Sequence, residues 1–184
     1  MRVEIDGTVA SIKPLGPRHA PVYLDLLQRN RDFLQPYEPM RPDDFWTLEG
    51  QTAQLETAAA EWVLGSGFAF GIFDRSDGAL VGRVALANVV PKAWQNATLG
   101  YWLDGERNGR GLATDAARSA VAFAFGEAEL HRVQAGVMPR NGPSIRVLEK
   151  IGMRYEGVAL RYLLINGVWE NHRMYAVTAD EWRA

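Results

Sequence analysis

An α+β fold, a mixed sheet with helices on its faces, is predicted by three features of this sequence. Alternating runs rich in β-favouring residues outnumber the helical stretches. Asp6-Gly7 and Asn166-Gly167 each lie between two such runs, the short-range signature of a β-hairpin. Between them, over residues 99–138, a strand, a glycine-bearing loop, a helix and another strand follow one another. The rest of the chain is organised around that unit.

In order, residues 2–13 read as two short strands around Asp6-Gly7. Gly16-Pro17 opens a helix that carries Leu24 and Leu27 on its apolar face and runs to about Asn30. Residues 31–46 interleave three prolines with aromatics, which predicts an ordered, non-helical loop. Such a segment is either the wall of a binding cleft or a plug at the end of the core. A second helix spans residues 47–64, capped by Thr47 and closed by Gly65-Ser66-Gly67. Strands follow at residues 68–73 and 79–90, with a turn between them and a link over residues 91–95. In the central strand Leu99, Tyr101 and Leu103 alternate with Gly100 and Trp102, and Asp104-Gly105 ends it. From Thr114 a helix places Ala117, Ala120, Val121, Ala124 and Ala128 on one face. A strand at residues 132–138, a loop, and a short helix at residues 144–151 capped by Gly152 come next. Residues 155–165 and 168–177 close the chain as a hairpin through Asn166-Gly167. With no repeat, linker or low-complexity tract, residues 1–184 are expected to form a single domain.

The loop Asn108-Gly109-Arg110-Gly111-Leu112-Ala113, leading to Thr114, is a place to hold phosphate. Glycines let the backbone come close, the first helical amides point outward, and the helix dipole favours an anion. Arg107 and Arg110 add positive charge beside it. It is not a P-loop, since no Gly-Lys-Ser/Thr follows, and the glycine spacing does not fit a dinucleotide fingerprint. What remains is a seat for a diphosphate whose long tail lies along the preceding strand. The formal net charge of −2 argues against nonspecific nucleic-acid binding. Zero cysteines exclude disulfides and thiolate chemistry, and the three histidines lack metal-ligand spacing, so no metal is expected. With no apolar run of membrane length and no signal-peptide pattern, a cytoplasmic protein without a membrane partner is expected.

Residues 108–113 resemble the acyl-CoA pyrophosphate loop of the GCN5-related N-acetyltransferases, Gln/Arg-x-x-Gly-x-Gly/Ala, with Gly111 and Ala113 in the last fixed positions and Asn108 in the first. Within that superfamily the chain is most similar to ribosomal-protein-alanine N-acetyltransferases of the RimJ/RimL type. The matching pieces run in order along nearly the whole chain. They include residues 33–41, Leu99-Gly-Tyr, Gly109-Arg-Gly-Leu-Ala-Thr-Asp-Ala, Asn141-x-x-Ser144, Leu148-x-x-Ile-Gly-Met153 and Tyr162-Leu-Leu-Ile-Asn-Gly-Val-Trp169. The resemblance implies that family's fold, a mostly antiparallel sheet with a V-shaped splay between two parallel strands. It also implies acetyl-CoA as cosubstrate and an amine as acceptor, plausibly a protein N-terminus, in a monomer or homodimer.

Acetyl transfer from a thioester to an amine needs an anchored diphosphate, a polarised carbonyl, a neutral amine and a protonated thiolate. The loop at residues 108–114 meets the first need. By the resemblance, backbone amides near Tyr101, Trp102 and Leu103 serve the pantetheine and the carbonyl, and Asn141 braces the loop or the arm. Ser144 is implied beside the sulfur as proton donor; by its position after a proline at a helix start it is equally a helix cap. Where RimL-like relatives carry a glutamate, this chain has Tyr162-Leu-Leu, so no base carries over. Glu38 is the first substitute, ahead of Glu170 and His172. Tyr37, Glu38 and Tyr162 are expected on the acceptor side. An α-amine, about a tenth neutral at pH 7, needs only a weak base, whereas a lysine amine is neutral less than about one time in a thousand. The missing strong base therefore fits an α-amine. A small-molecule amine acceptor and a non-catalytic acyl-CoA sensor are the alternatives.

Overall fold

The computed structural model describes residues 3–183. Eight strands form one sheet in the order β1-β2-β3-β4-β5-β6-β8-β7. They are β1 (Ile5–Asp6), β2 (Ala10–Pro14), β3 (Phe68–Asp74), β4 (Leu80–Val90), β5 (Asn96–Leu103), β6 (Arg132–Val137), β7 (Arg154–Ile165) and β8 (Val168–Thr178). The helices are α1 (Ala20–Arg29), α2 (Arg31–Leu34), α3 (Leu48–Leu64), α4 (Leu112–Gly126) and α5 (Gly142–Lys150). All neighbouring strands are antiparallel except β5 and β6, which are joined through α4. The predicted mixed sheet with helices on both faces is what forms.

Strand alternation sorts the side chains onto two faces. On one, Phe70, Ile72, Val84, Leu86, Leu99 and Leu103 meet the alanine-rich stripe of α4, where Ala116, Ala117, Ala120, Val121 and Ala124 are all buried. Small side chains let this helix lie close to the sheet, and Trp62 with Phe68, Phe70 and Phe123 fills one end by edge-to-face contacts. On the other face, Leu15 and Leu80 pack under Tyr23, Leu26 and Leu27 of α1 and Leu55 of α3.

Local signals hold where the physics is local. The Thr47 hydroxyl accepts from the Gly50 amide at 3.0 Å, and Gly65 ends α3 at φ 67°. Asn166 and Gly167 both take positive φ, as a two-residue hairpin turn requires. Three expectations need correction. Residues 31–46 are not a plain loop: they hold α2 and short 3₁₀ turns at Gln35–Tyr37 and Asp43–Trp46. Proline is compatible with such turns, because an N–H at their first positions has no internal partner. The central helix starts at Leu112, not Thr114, and the short helix at Gly142, not Ser144. The expected first strand begins at Arg2, which lies outside the described residues.

Candidate active site

The site begins where a ladder stops. β5 and β6 pair only through Asn96–Arg132, Ala97–Val133 and Thr98–Gln134. Beyond Thr98, β5 stays hydrogen-bonded to β4 as far as Leu103, and beyond Gln134, β6 stays paired with β8 as far as Val137. The two strands therefore diverge, and alternate residues within 99–103 and 135–137, those whose main-chain groups are not taken up by β4 or β8, face an open wedge. Tyr101, Trp102 and Leu103 lie on its β5 side. Their side chains have other work: Leu103 is core, and Trp102 packs on Tyr23 with ring centroids 6.0 Å apart.

At the wide end stands the N-terminus of α4. Gly109 and Gly111 take φ of 81° and 82°, a conformation costly for any residue with a Cβ. Gly111 is the helix cap and offers no side chain, so no side chain caps this helix. Among the described residues the amides of Leu112, Ala113 and Thr114 have no acceptor, while that of Asp115 reaches the Gly111 carbonyl at 3.0 Å. Outward amides on a fifteen-residue helix with its dipole behind them form an anion seat. Leu112 itself is buried in the core and pins the turn; Ala113 and Thr114 are half-buried.

Long-range contacts hold the loop in place. Arg29 donates to the buried Asp104 at 2.8 Å, and the Gly105 amide donates to Asn30 Oδ1 at 2.9 Å, both from the end of α1. Asn108 Nδ2 reaches the Gly105 carbonyl at 3.2 Å. One carboxylate oxygen of Asp115 accepts from the Val9 and Ala10 amides at 2.7 and 2.9 Å, tying α4 to the β1–β2 turn. The expectation that Arg107 adds free charge to the seat is revised. Its guanidinium is paired with Asp74 at 3.0 Å and Asp77 at 2.8 Å, which makes it a strut. Hydrogen bonds from Ser76 and this guanidinium hold the Asp74 carboxyl below the usual carboxylate range. Arg110, half-exposed and 3.8 Å from Asp74, is the arginine beside the seat with charge to offer an anion.

On the β6 side, α5 decides the serine question in part. Asn141 Oδ1 accepts from the Ser144 amide at 3.2 Å, so Asn141 is the cap and the Ser144 hydroxyl is not needed for that role. Instead Ser144 Oγ lies 2.9 Å from the Tyr101 hydroxyl, which also donates to the Ser144 carbonyl at 3.0 Å. The pair bridges the wedge from β5 to α5. Burial pushes the Tyr101 phenol far up, with the Ser144 hydrogen bond opposing only part of that.

On the opposite face three segments converge. Arg140 donates to Glu170 at 2.7 Å and to the Pro36 carbonyl at 3.1 Å, joining the β6–α5 loop, β8 and the proline-rich segment. Glu38, a quarter exposed and 3.3 Å from Arg41, lines a small cleft of about 160 Å³ with Leu27, Leu34, Met40, Trp46 and Asn166. Its charge reaches the buried Tyr23, whose phenol is raised mainly by burial. Tyr37 is exposed nearby. The Tyr162 ring covers Gly136 on the splayed part of β6 and meets His172 edge-on at 5.4 Å. Glu170 is paired with Arg140 as Glu38 is with Arg41, and the two carboxylates are about equally exposed, whereas His172 is buried. Among the described residues no group of three or more His, Asp or Glu side chains could hold a metal ion, and no helix is long and apolar enough to cross a membrane.

Comparison with known proteins agrees with this geometry. Residues 11–154 match the acetyltransferase (GNAT) domain family. The chain is 42% identical over 94% of its length to a probable N-acetyltransferase, YjcK, from Bacillus subtilis, covering 96% of that protein. It is 34% identical over 86% of its length to the ribosomal protein uS5-alanine N-acetyltransferase of Escherichia coli, covering 81% of it. The solved structure of Mycobacterium smegmatis RimJ in complex with CoA-disulfide superposes with a TM-score of 0.90 at 31% identity, over 98% of this chain and 88% of that one. A splayed parallel pair, a glycine-capped helix N-terminus at its wide end and these relationships lead to one conclusion: the chain belongs to the GNAT acetyltransferase family and is an N-acetyltransferase of RimJ type.

Proposed function

We propose that this enzyme transfers the acetyl group of acetyl-CoA directly to an α-amino group, the N-terminus of a protein, in the cytoplasm. The observation that carries the proposal is the wedge between β5 and β6 opening onto the N-terminus of α4, which Gly111 caps without a side chain. Acetyl-CoA supplies the acyl group as a thioester. In this reading the amides of Leu112, Ala113 and Thr114, presented by Gly109 and Gly111, take the diphosphate, with Arg110 beside them and Asn108 bracing the loop. Main-chain amides of Tyr101 and Leu103, which alternate away from β4, hold the pantetheine arm and polarise the carbonyl, while the amide of Trp102 between them turns to β4 and is not free for that role. Donors set in place before the reaction act without reorganisation. Asn141 caps α5 and so sets where Ser144 stands. Ser144 offers a hydrogen bond to the developing thiolate and relays a proton from water, which suffices for a thiol with a pKa near about 8.5.

The acceptor enters from the other face, past Tyr37, Glu38 and Tyr162. Glu38 is the base, acting through water, and an α-amine with a pKa near about 8 asks little of it. The name of the Escherichia coli relative, an alanine N-acetyltransferase for a ribosomal protein, supports a protein N-terminus as acceptor. Thiol release from acetyl-CoA, measured for ribosomal N-terminal peptides, polyamines and lysine peptides, tests this. Turnover confined to polyamines or lysine peptides would overturn the α-amine reading. Ser144→Ala is expected to lower turnover more than it weakens acetyl-CoA binding; equal turnover would remove Ser144 from the mechanism.

A further inference from the structure

We propose that Tyr101 is a positioning residue whose hydroxyl decides which way the Ser144 proton points. The inference rests on the role assigned to Ser144 above and concerns the side chain of Tyr101, separate from its main-chain amide. One phenolic oxygen lies 3.0 Å from the Ser144 carbonyl and 2.9 Å from Ser144 Oγ. A phenol has one proton, so it can satisfy only one of these acceptors at a time. When Tyr101 donates to the carbonyl, Ser144 donates to Tyr101, and the serine proton points away from the wedge. When Tyr101 donates to Ser144 Oγ, the serine proton is released to point elsewhere. The exchange needs two hydroxyl rotations and no movement of heavy atoms.

The reaction supplies the bias between the two states. As the C–N bond forms and the C–S bond breaks, the electron pair of the latter stays on sulfur. The proton that the acceptor nitrogen sheds is, in net, the one that ends on sulfur, with water and Ser144 as carriers. Negative charge growing on sulfur draws the Ser144 proton toward it, and charge then grows on Oγ. Tyr101 answers by turning its O–H from the carbonyl to Oγ. Its own proton stays in place, because burial makes this phenol a weak acid. Hydrogen bonds to charged groups are stronger than neutral ones, so the second state gains as the transition state is approached.

The test is a double-mutant cycle, with kcat, KM and calorimetric acetyl-CoA affinity for each variant. Tyr101→Phe keeps the partly buried ring and removes only the hydroxyl. It is expected to lower kcat about 10-fold, as loss of a charge-assisted hydrogen bond does, with acetyl-CoA affinity within about twofold. On a Ser144→Ala background the same change is expected to have no further effect. On a Ser144→Cys background, where the thiol is a stronger acid than a serine, the loss is expected to shrink. An unchanged kcat for Tyr101→Phe overturns the proposal. So does an equal loss with and without the serine, which assigns Tyr101 an independent role. If Ser144→Ala alone turns over like the wild type, the assignment of Ser144 falls and this inference with it. Loss of thiol release in the wild type with every amine would instead sink the functional reading.

Discussion

Replacing Gly111 by alanine separates backbone strain from ligand binding. Gly111 sits at φ 82°, and a Cβ there would meet only Val9 Cγ2 at 3.9 Å, an ordinary contact. No clash is introduced, so the cost is conformational: about 1–2 kcal/mol for an L-residue held in the left-handed region. That cost must appear somewhere. If the free protein keeps the conformation, Tm falls by about 2–8 °C for a domain of this size. If the loop relaxes instead, the strain returns when the ligand forces the turn back. Acetyl-CoA affinity then falls by a factor of about 5 to 30. Gly65→Ala is the matched control, since Gly65 at φ 67° caps α3 and also has open space around its Cβ. Calorimetric titration of acetyl-CoA and thermal melts of both variants are the assays. Gly65→Ala is expected to lose stability with affinity unchanged, whereas Gly111→Ala loses affinity, stability or both. Gly111→Ala with wild-type affinity and wild-type Tm would refute the assignment of the turn as a strained diphosphate seat.

Arg29→Ala leaves the buried Asp104 carboxylate with the Glu106 amide but without its cation. Because Arg29 is half-exposed, the expected loss is about 1–2 kcal/mol, below that of a fully buried pair, read from chemical denaturation. The same variant is expected to raise KM for acetyl-CoA, since Asp104 precedes the loop. Asp74 and Glu156 titrate below their ordinary range, held there mainly by hydrogen bonds from Ser76 and Arg132 respectively. In the acid range the unfolded chain thus binds more protons. Their contribution is present above the ordinary carboxylate range and is lost as pH falls through the lowered folded values. Asp74→Asn is expected to flatten that acid limb of stability against pH, and an unaltered limb would contradict the assignment. Glu38→Gln is expected to lower kcat/KM for α-amines and to change its pH profile; an identical profile would remove Glu38 as base.

Local rules carried much of the architecture. A hairpin turn at Asn166-Gly167, the Thr47 cap, the Gly65 stop and the alanine stripe of α4 each depend on neighbours within a turn or two. Side-chain period and positive-φ glycines were therefore readable from the chain alone. The glycine loop was legible for the same reason, because a helix N-terminus is a local object. By contrast, the short helical turns within residues 31–46 escaped it: proline signals the end of a long helix more plainly than the start of a 3₁₀ turn.

The chain's own order determined that a strand, a glycine turn and a helix stand in succession, since φ, ψ and periodicity are set residue by residue. Folding decided what holds that turn and what faces it. Arg29 meets Asp104 across 75 residues, Asp115 meets Val9 across 106, and Ser144 meets Tyr101 across 43. Arg107 became a strut rather than an anion ligand because two carboxylates lie beside it. Ser144 was freed from capping because Asn141 reaches its amide. A hydrogen bond or ion pair depends on distance in space, which sequence separation does not record, and only the packed sheet brings these partners within about 3 Å.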